Sequence, residues 1–333
     1  MQSTFPLVMI VILNYRQPHM TLTCVRSLRG LAYSNYHIVV VDGGSADNSS
    51  DILARELPDV TLLTINENRG YAGGNNVGIR WALANGASYV HIVNPDTTLE
   101  SCDYLTRLVE HMESNPRVGV IGPKVFLRQN GVRQNTILKF PSLKGCIVGN
   151  LADALHIRIR LRSDEPVEVE ALNGVCILFR SECLRDIGLF DERLFMYLEE
   201  VELQYRSNQR GWISQYLPVN SIVHHQSETG YNMTGNIGFL LKRNTAYFLD
   251  KIGKRSEAMG YAILSIGLLL ARSITASGIE NESRRDYVKF TMALARAYLT
   301  IFARRDPDER YGPPYCSWEN LRHMLRGQRA SVP

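Results

Sequence analysis

The sequence predicts an α/β protein: a mostly parallel, doubly wound, Rossmann-like sheet followed by a helical extension. Three observations carry this expectation. Strand and helix patterns alternate through roughly the first 120 residues. Polar side chains (Asn14, Asp42, Asn94 and Asp96) collect where strands end, the edge at which such sheets bind ligands. From about Ile237 onward, apolar residues recur at three- and four-residue spacings, as on helices.

The elements follow in order. LVMIVIL, Leu7 to Leu13, is a continuous apolar run, as expected of a strand buried on both faces. A helix is expected from about Pro18 to Leu31. HIVVVD is a second strand ending in Asp42, and GGSAD turns the chain, with Ser45 or Asp47 as cap for a helix running to Glu56. VTLLTI is a third strand. NENRGYAGGNN reads as a polar, glycine-rich loop leading into a helix from about Asn76 to Asn85. YVHIVN is a fourth strand, and NPDT turns after it. Residues 123–165 mix basic, glycine and short apolar segments and carry no clear assignment. EVEALNGVCILFR reads as strand, turn, strand, and GLFDERLFMYLEEVELQYRSNQRG as a loop entering an amphipathic helix. WISQYLP and SIVHH read as two further strands. The expected organisation is a body over 1–236, a helical region over 237–305 and a partly mobile basic tail over 306–333.

Composition narrows the function classes. Of 333 residues, 45% are hydrophobic and 21% charged, which excludes a disordered or collagen-like chain. The net charge of +4 is uneven: Leu241 to Pro333 holds 16 basic and 9 acidic residues, the rest 21 and 24. The basic residues follow no nucleic-acid motif, so no nucleic-acid partner is expected. The six cysteines have neither CxxC spacing nor a histidine cluster nearby, which argues for reduced thiols in a cytoplasmic protein. The N-terminal apolar run lacks a basic leader and a small-residue cleavage site and reads as a strand, not a signal peptide. No stretch offers 18 uncharged apolar residues; Met259 to Ala271 comes nearest, and Arg272 ends it. The C-terminal apolar helices bounded by arginines have two readings: packing against the body or a homodimer partner, or peripheral contact with an anionic membrane.

The chemistry lies in the polar clusters. GYAGGNNVG does not fit GxGxxG at the first strand–helix turn, and no GK[ST] follows, so neither a dinucleotide fingerprint nor a Walker loop is present. Asp42, at a strand end, offers an acceptor for a base N–H or a ribose hydroxyl. Asp96 in NPDT is a carboxylate of the kind that holds Mg²⁺ against substrate phosphates. Glu199, Glu200 and Glu202 crowd a helix start, where mutual repulsion raises a carboxylate toward general-base range. His224, at another strand end, offers an imidazole.

In sequence, VVDGGSADNS, NRGYAGGNN, NPDT, GLFDERLFMYLEEVEL and IVHH resemble the family 2 glycosyltransferases of the GT-A fold, most of all the rhamnosyltransferases of O-antigen and other cell-surface polysaccharides. The resemblance runs from about Leu7 to Asn244. It implies an inverting, metal-dependent transferase using Mg²⁺ or Mn²⁺, a nucleotide-sugar donor and a lipid-linked or other saccharide acceptor, on the cytoplasmic face of the inner membrane. By position, Asp42 then matches the acid that binds nucleobase and ribose. Arg69 matches a position near the donor diphosphate, and Asn14 and Asn75 join the donor-binding set. Asn94 and Asp96 match the ends of the DXD motif, with Asp96 and His224 as metal ligands. Glu200, with Glu199 beside it, matches the catalytic acidic pair, and Arg243 and Asn244 an RN pair near the end of the catalytic domain. The implied donor is dTDP-L-rhamnose, with UDP-galactofuranose or a UDP-hexose on the same scaffold as alternatives. Three departures, Gly43, Asn94 and Glu200 where the family usually carries Asn, Asp and Asp, motivate a second class: a nucleotide-sugar-binding or scaffold protein. Each chemical position nonetheless keeps a group able to act, which favours the enzyme.

Overall fold

Seven residues, Val8–Asn14, form β1, and their side chains enter two separate cores by turns. Val8, Ile10 and Ile12 point into one and Met9 and Val11 into the other. This explains the unbroken apolar run. The computed structural model describes residues 5–128, 131–154, 164–225, 234–275 and 284–303, so the tail expected over 306–333 lies outside the described residues.

The elements run β1, α1 (Pro18–Leu28), β2 (Tyr36–Asp42), α2 (Ser49–Glu56), β3 (Thr61–Thr64), α3 (Gly70–Ala84), β4 (Tyr89–Val93), β5 (Thr97–Leu99), α4 (Tyr104–Ser114), β6 (Val118–Leu127), β7 (Ile137–Leu138), α5 (Leu143–Ala154), β8 (Val167–Val169), β9 (Ala171–Leu172), β10 (Cys176–Arg180), α6 (Ser181–Ile187), α7 (Glu199–Gln209), β11 (Ile213–His224), α8 (Thr234–Lys251), α9 (Arg255–Thr275) and α10 (Arg284–Phe302). A mixed sheet of nine strands has the order β3-β2-β1-β4-β10-β6-β11-β5, with β8 beside β11. The first four strands are parallel, β10 is antiparallel to both neighbours, and β6 and β11 run parallel. Helices α1, α2 and α4 pack on one face through residues such as Leu22, Leu53 and Leu108. Helices α3, α6 and α7 cover the other through Ile79, Leu184 and Leu203.

Three local expectations need correction. The glycine-rich segment is helical from Gly70, because its glycines bring the helix against β1: a Cβ on Gly74 would lie 2.5 Å from Leu13 Cδ1, and one on Gly78 2.4 Å from Val11 Cγ1. WISQYLP and SIVHH belong to one strand, β11, whose register shifts against β6 around Asn220. Ser45 does not cap α2; Asp47 Oδ1 accepts the Ser49 N–H at 2.8 Å instead.

The chain divides into two compact units, Met1–Phe140 with Arg160–Glu192 and Glu199–Ser227, and Pro141–Ile159 with Arg193–Leu198 and Glu228–Pro333. Within the second, α9 and α10 are joined by Ser265 Oγ and the Tyr298 hydroxyl at 2.8 Å, and Phe239 of α8 meets Phe290 of α10 edge-on at 6.0 Å. The Leu143 N–H at the start of α5 donates to Glu257 Oε2 at 3.1 Å. The short segment Arg193–Leu198 places three bulky residues, Phe195, Tyr197 and Leu198, at φ of 61°, 70° and 69°. Asn244 holds it: its Nδ2 donates to the carbonyls of Leu194, Met196 and Tyr197 at 3.0, 2.9 and 2.7 Å. Arg243 Nη1 donates to the Arg193 carbonyl at 2.7 Å. Left-handed backbone at such residues costs about 1–3 kcal/mol each, and this clamp offsets it.

Candidate active site

All the sheet-borne candidates lie in the first unit. Parallel pairing sets Asn14 opposite Asp42 at the carboxyl ends of β1 and β2. Asn14 Nδ2 donates to Asp42 Oδ1 at 2.8 Å, and Asn14 Oδ1 accepts from Thr21 Oγ1 at 2.8 Å. Ser45 Oγ also donates to Asp42 Oδ1, and Ser50 Oγ to Oδ2 at 2.6 Å. Asn14 is fully buried, so in this structure it orients Asp42.

Asp96 and His224 come from distant parts of the chain. His224 ends β11 opposite Thr97 of β5, and the next residue, His225, donates its N–H to the Asp96 carbonyl at 2.8 Å. Asp96 Oδ2 then lies 3.2 Å from His224 Nε2. His224 Nδ1 lies 2.9 Å from Gln134 Oε1, an acceptor, so Nδ1 carries a proton and donates. Nε2 then faces a carboxylate oxygen, a juxtaposition that suits a cation between them. Adjacent ligands about 2.1 Å from an octahedral cation stand about 3 Å apart, so the pair fits a divalent ion. Among the described residues no cluster of three metal-binding side chains exists. Asn94 turns the chain between β4 and Asp96; its N–H donates to the Val175 carbonyl at 2.9 Å and its carbonyl accepts from Thr97 Oγ1 at 2.8 Å.

Glu199 and Glu200 open α7, both buried, and Oε2 of each has no hydrogen-bond partner. Burial pushes Glu200 up to about 7, while N–H groups of its own residue, Gly174 and Val201 pull the other way. Burial and then the Glu200 charge hold Glu199 well above the carboxylate range. Desolvation therefore outweighs the repulsion expected from the sequence. The third acid is not part of the cluster: Glu202 forms a two-pronged pair with Arg206, Oε1 to Nε at 2.8 Å and Oε2 to Nη2 at 2.9 Å.

Tyr71 joins these groups and was not among the sequence candidates. Burial raises its hydroxyl pKa well above the usual range, and the charges of Glu199, Glu200 and Asp96 raise it further. The phenol donates to the Gly174 carbonyl at 2.7 Å. Gly174 is kept free of a side chain by the same contact, since a Cβ there would lie 2.8 Å from the Tyr71 oxygen. Gln204, one turn beyond Glu200, accepts the Leu172 N–H at 2.9 Å and donates to its carbonyl at 2.8 Å, fastening α7 to β9. The Asn173-Gly174 turn signal and the tyrosine inside the glycine-rich segment were available in the sequence; nothing pointed to Gln134. Two other candidates bond to residues other than the acids of this cluster. Arg69 precedes α3, largely exposed and paired with Glu67 at 3.1 Å. Asn75 is fully buried, donates to the Tyr71 carbonyl at 2.9 Å and leaves Oδ1 without a partner.

The family described as Glycosyl transferase family 2 matches residues 9–187. The N-acetylglucosaminyl-diphospho-decaprenol L-rhamnosyltransferase of Mycobacterium tuberculosis is 28% identical over 64% of this chain and 75% of its own. The galactofuranosyltransferase GlfT1 of the same organism is 27% identical over 98% and 97%. Among solved structures, the mannosyltransferase PcManGT of Pyrobaculum calidifontis, in complex with GDP-Man and Mn²⁺, superposes with a TM-score of 0.53 at 15% identity, covering 91% of this chain and 89% of that one. S. aureus TarS superposes at 0.52 and 13% identity; this chain spans 52% of its length. The likeness to these structures extends to the fold, which is GT-A.

Proposed function

This chain belongs to glycosyl transferase family 2, and from that premise we propose an inverting transfer of a sugar from a nucleoside-diphosphate donor to a hydroxyl of a lipid-linked saccharide, in cell-surface polysaccharide synthesis. The observation that carries the proposal is the buried pair Glu199 and Glu200 at the start of α7, with Oε2 of each lacking a hydrogen-bond partner.

In this reading Glu200 is the general base. As the acceptor oxygen bonds to the anomeric carbon, its proton passes to Glu200 Oε2 and the bond to the donor diphosphate breaks. A base with a pKa near 7 is half ready at neutral pH and strong enough to take that proton. Asp42, fixed by Asn14, binds the nucleoside; Asn75, Asn94 and Arg69 contribute to the donor site, with the Arg69 guanidinium near the diphosphate. Asp96 and His224 would hold Mg²⁺ or Mn²⁺, which when bound supplies positive charge to the leaving diphosphate. The reaction is assigned to the cytoplasmic face of the membrane, where a soluble nucleotide sugar meets a lipid-linked acceptor.

For the donor, the rhamnosyltransferase relative supports dTDP-L-rhamnose. The galactofuranosyltransferase relative, matched over 98% of the chain, supports UDP-galactofuranose as a second reading. A thermal-shift screen of dTDP-, UDP- and GDP-sugars with Mn²⁺ tests both. One class is expected to raise the melting temperature by several degrees, as about 100-fold saturation stabilises by roughly 2.7 kcal/mol. Asp96→Ala should remove the Mn²⁺-dependent part of that shift. No shift with any nucleotide sugar, or an identical Mn²⁺-dependent shift in the variant, contradicts the reading.

A further inference from the structure

The second unit carries a surface unlike the rest of the molecule. Among the described residues eleven large hydrophobic side chains are exposed; ten belong to this unit, and Phe5 alone to the first. They are ordered. On α9, Met259, Ile263 and Leu270 are spaced by four and seven residues, which places them on one face; on α10, Val288, Met292 and Leu299 repeat the same spacing. The other faces are buried by Ala262, Ser265 and Leu269, and by Leu294, Tyr298 and Ile301.

The carboxylates of these two helices, Glu257 and Asp286, stand at their starts, before the stripes begin. No carboxylate occurs from Ala258 to Ile279 or from Tyr287 to Arg305, whereas Lys289 lies on α10 and the exposed Arg296 falls between Met292 and Leu299 on the stripe itself. On α5, exposed Lys144 precedes exposed Ile147 and Val148 by three and four residues. An arginine within an apolar stripe can bury its stem and keep its charge at a polar boundary. No helix among the described residues is long and apolar enough to cross a membrane. A two-fold self-association would press this cationic patch against its own copy, like charge on like charge. An anionic lipid surface complements it in both respects.

We propose that α9 and α10 present an interfacial face that lies on an anionic bilayer, apolar stripes in the acyl boundary and Lys289 and Arg296 among the headgroups. This face does not depend on the transfer chemistry, so a chain inactive in every donor assay would still bind vesicles.

The test is co-sedimentation of the full chain with vesicles of phosphatidylcholine alone and of equal phosphatidylcholine and phosphatidylglycerol, at low and high salt. Binding is expected to the anionic vesicles, weakening with salt. Lys289→Gln with Arg296→Gln should weaken anionic binding by about 25-fold, on the order of fivefold per charge. Ile263→Asp with Leu299→Asp should abolish it. Both pairs change surface positions, and an unchanged melting temperature verifies that they fold. No sedimentation with anionic vesicles at low salt overturns the proposal. So does unchanged binding by the aspartate pair. So does a light-scattering mass that falls from dimer to monomer in that pair while vesicle binding stays intact, because the occupant is then a second copy.

Discussion

The Tyr71 hydroxyl donates to the Gly174 carbonyl at 2.7 Å, across 103 residues of sequence. The Gly174 backbone also acts on Glu200, lowering its pKa against the effect of burial. One phenol therefore steadies the turn that solvates the proposed base. Tyr71→Phe keeps the ring and removes the donor. The expected result is a kcat lower by about tenfold, a donor KM changed little, and an activity limb displaced upward in pH as Gly174 loosens its hold on the Glu200 carboxylate. An unshifted pH profile with a normal kcat would remove Tyr71 from the account. The pH dependence is the deciding readout, because a loss of stability alone lowers active enzyme without moving the profile.

Glu200 also carries a stability cost with a definite sign. Its pKa is raised on folding, from 4.5 to about 7, so the unfolded chain loses its proton first as pH rises. The associated stability is present below about pH 4.5 and is lost as pH rises through about 7. Glu200→Gln, which has the neutral form's shape and no charge, should be more stable than the parent at pH 8 by up to roughly 3 kcal/mol, the difference vanishing near pH 4. Denaturant unfolding at the two pH values measures this. A variant less stable than the parent at pH 8 would contradict a buried, desolvated carboxylate.

Asn244 donates to three carbonyls of the segment that leads by a peptide bond into Glu199, a segment with three bulky left-handed residues. Asn244→Ala leaves those carbonyls without this donor. A stability loss of roughly 1–3 kcal/mol is expected, together with a kcat at least tenfold lower at unchanged donor affinity, since the nucleotide contacts proposed here lie elsewhere. Urea melts and calorimetric donor binding separate the two effects. Equal losses in donor affinity and kcat would argue against a role confined to this segment.

Much of the fold is legible in the sequence where one physical signal dominates. The run Leu7 to Leu13 reads as a doubly buried strand, and the strand ends mark Asn14, Asp42 and Asp96, because burial and pleat leave few other arrangements. The glycine-rich segment misleads, since its glycines serve close packing of α3 on Leu13 and Val11 instead of a loop, and propensity alone does not distinguish the two. The long strand β11 looks like two because its register shifts interrupt the alternation. In the site, single carboxylates stand out, but their surroundings do not. That Glu202 belongs to Arg206, that burial and not crowding raises Glu200, and that Gln134 backs His224 all depend on contacts between residues far apart in sequence.

In the proposed transfer, Glu200 takes the acceptor proton. The most direct measurement is the initial rate of transfer from the nucleotide sugar identified by the donor screen, as a function of pH, for the parent chain and Glu200→Gln, with saturating Mn²⁺. The parent rate should rise with pH through about 7, as the base loses its proton. The variant should run about 10²–10⁴-fold slower and lack that limb, with donor affinity retained. A variant rate within a few-fold of the parent, or the same limb in both proteins, would contradict the account.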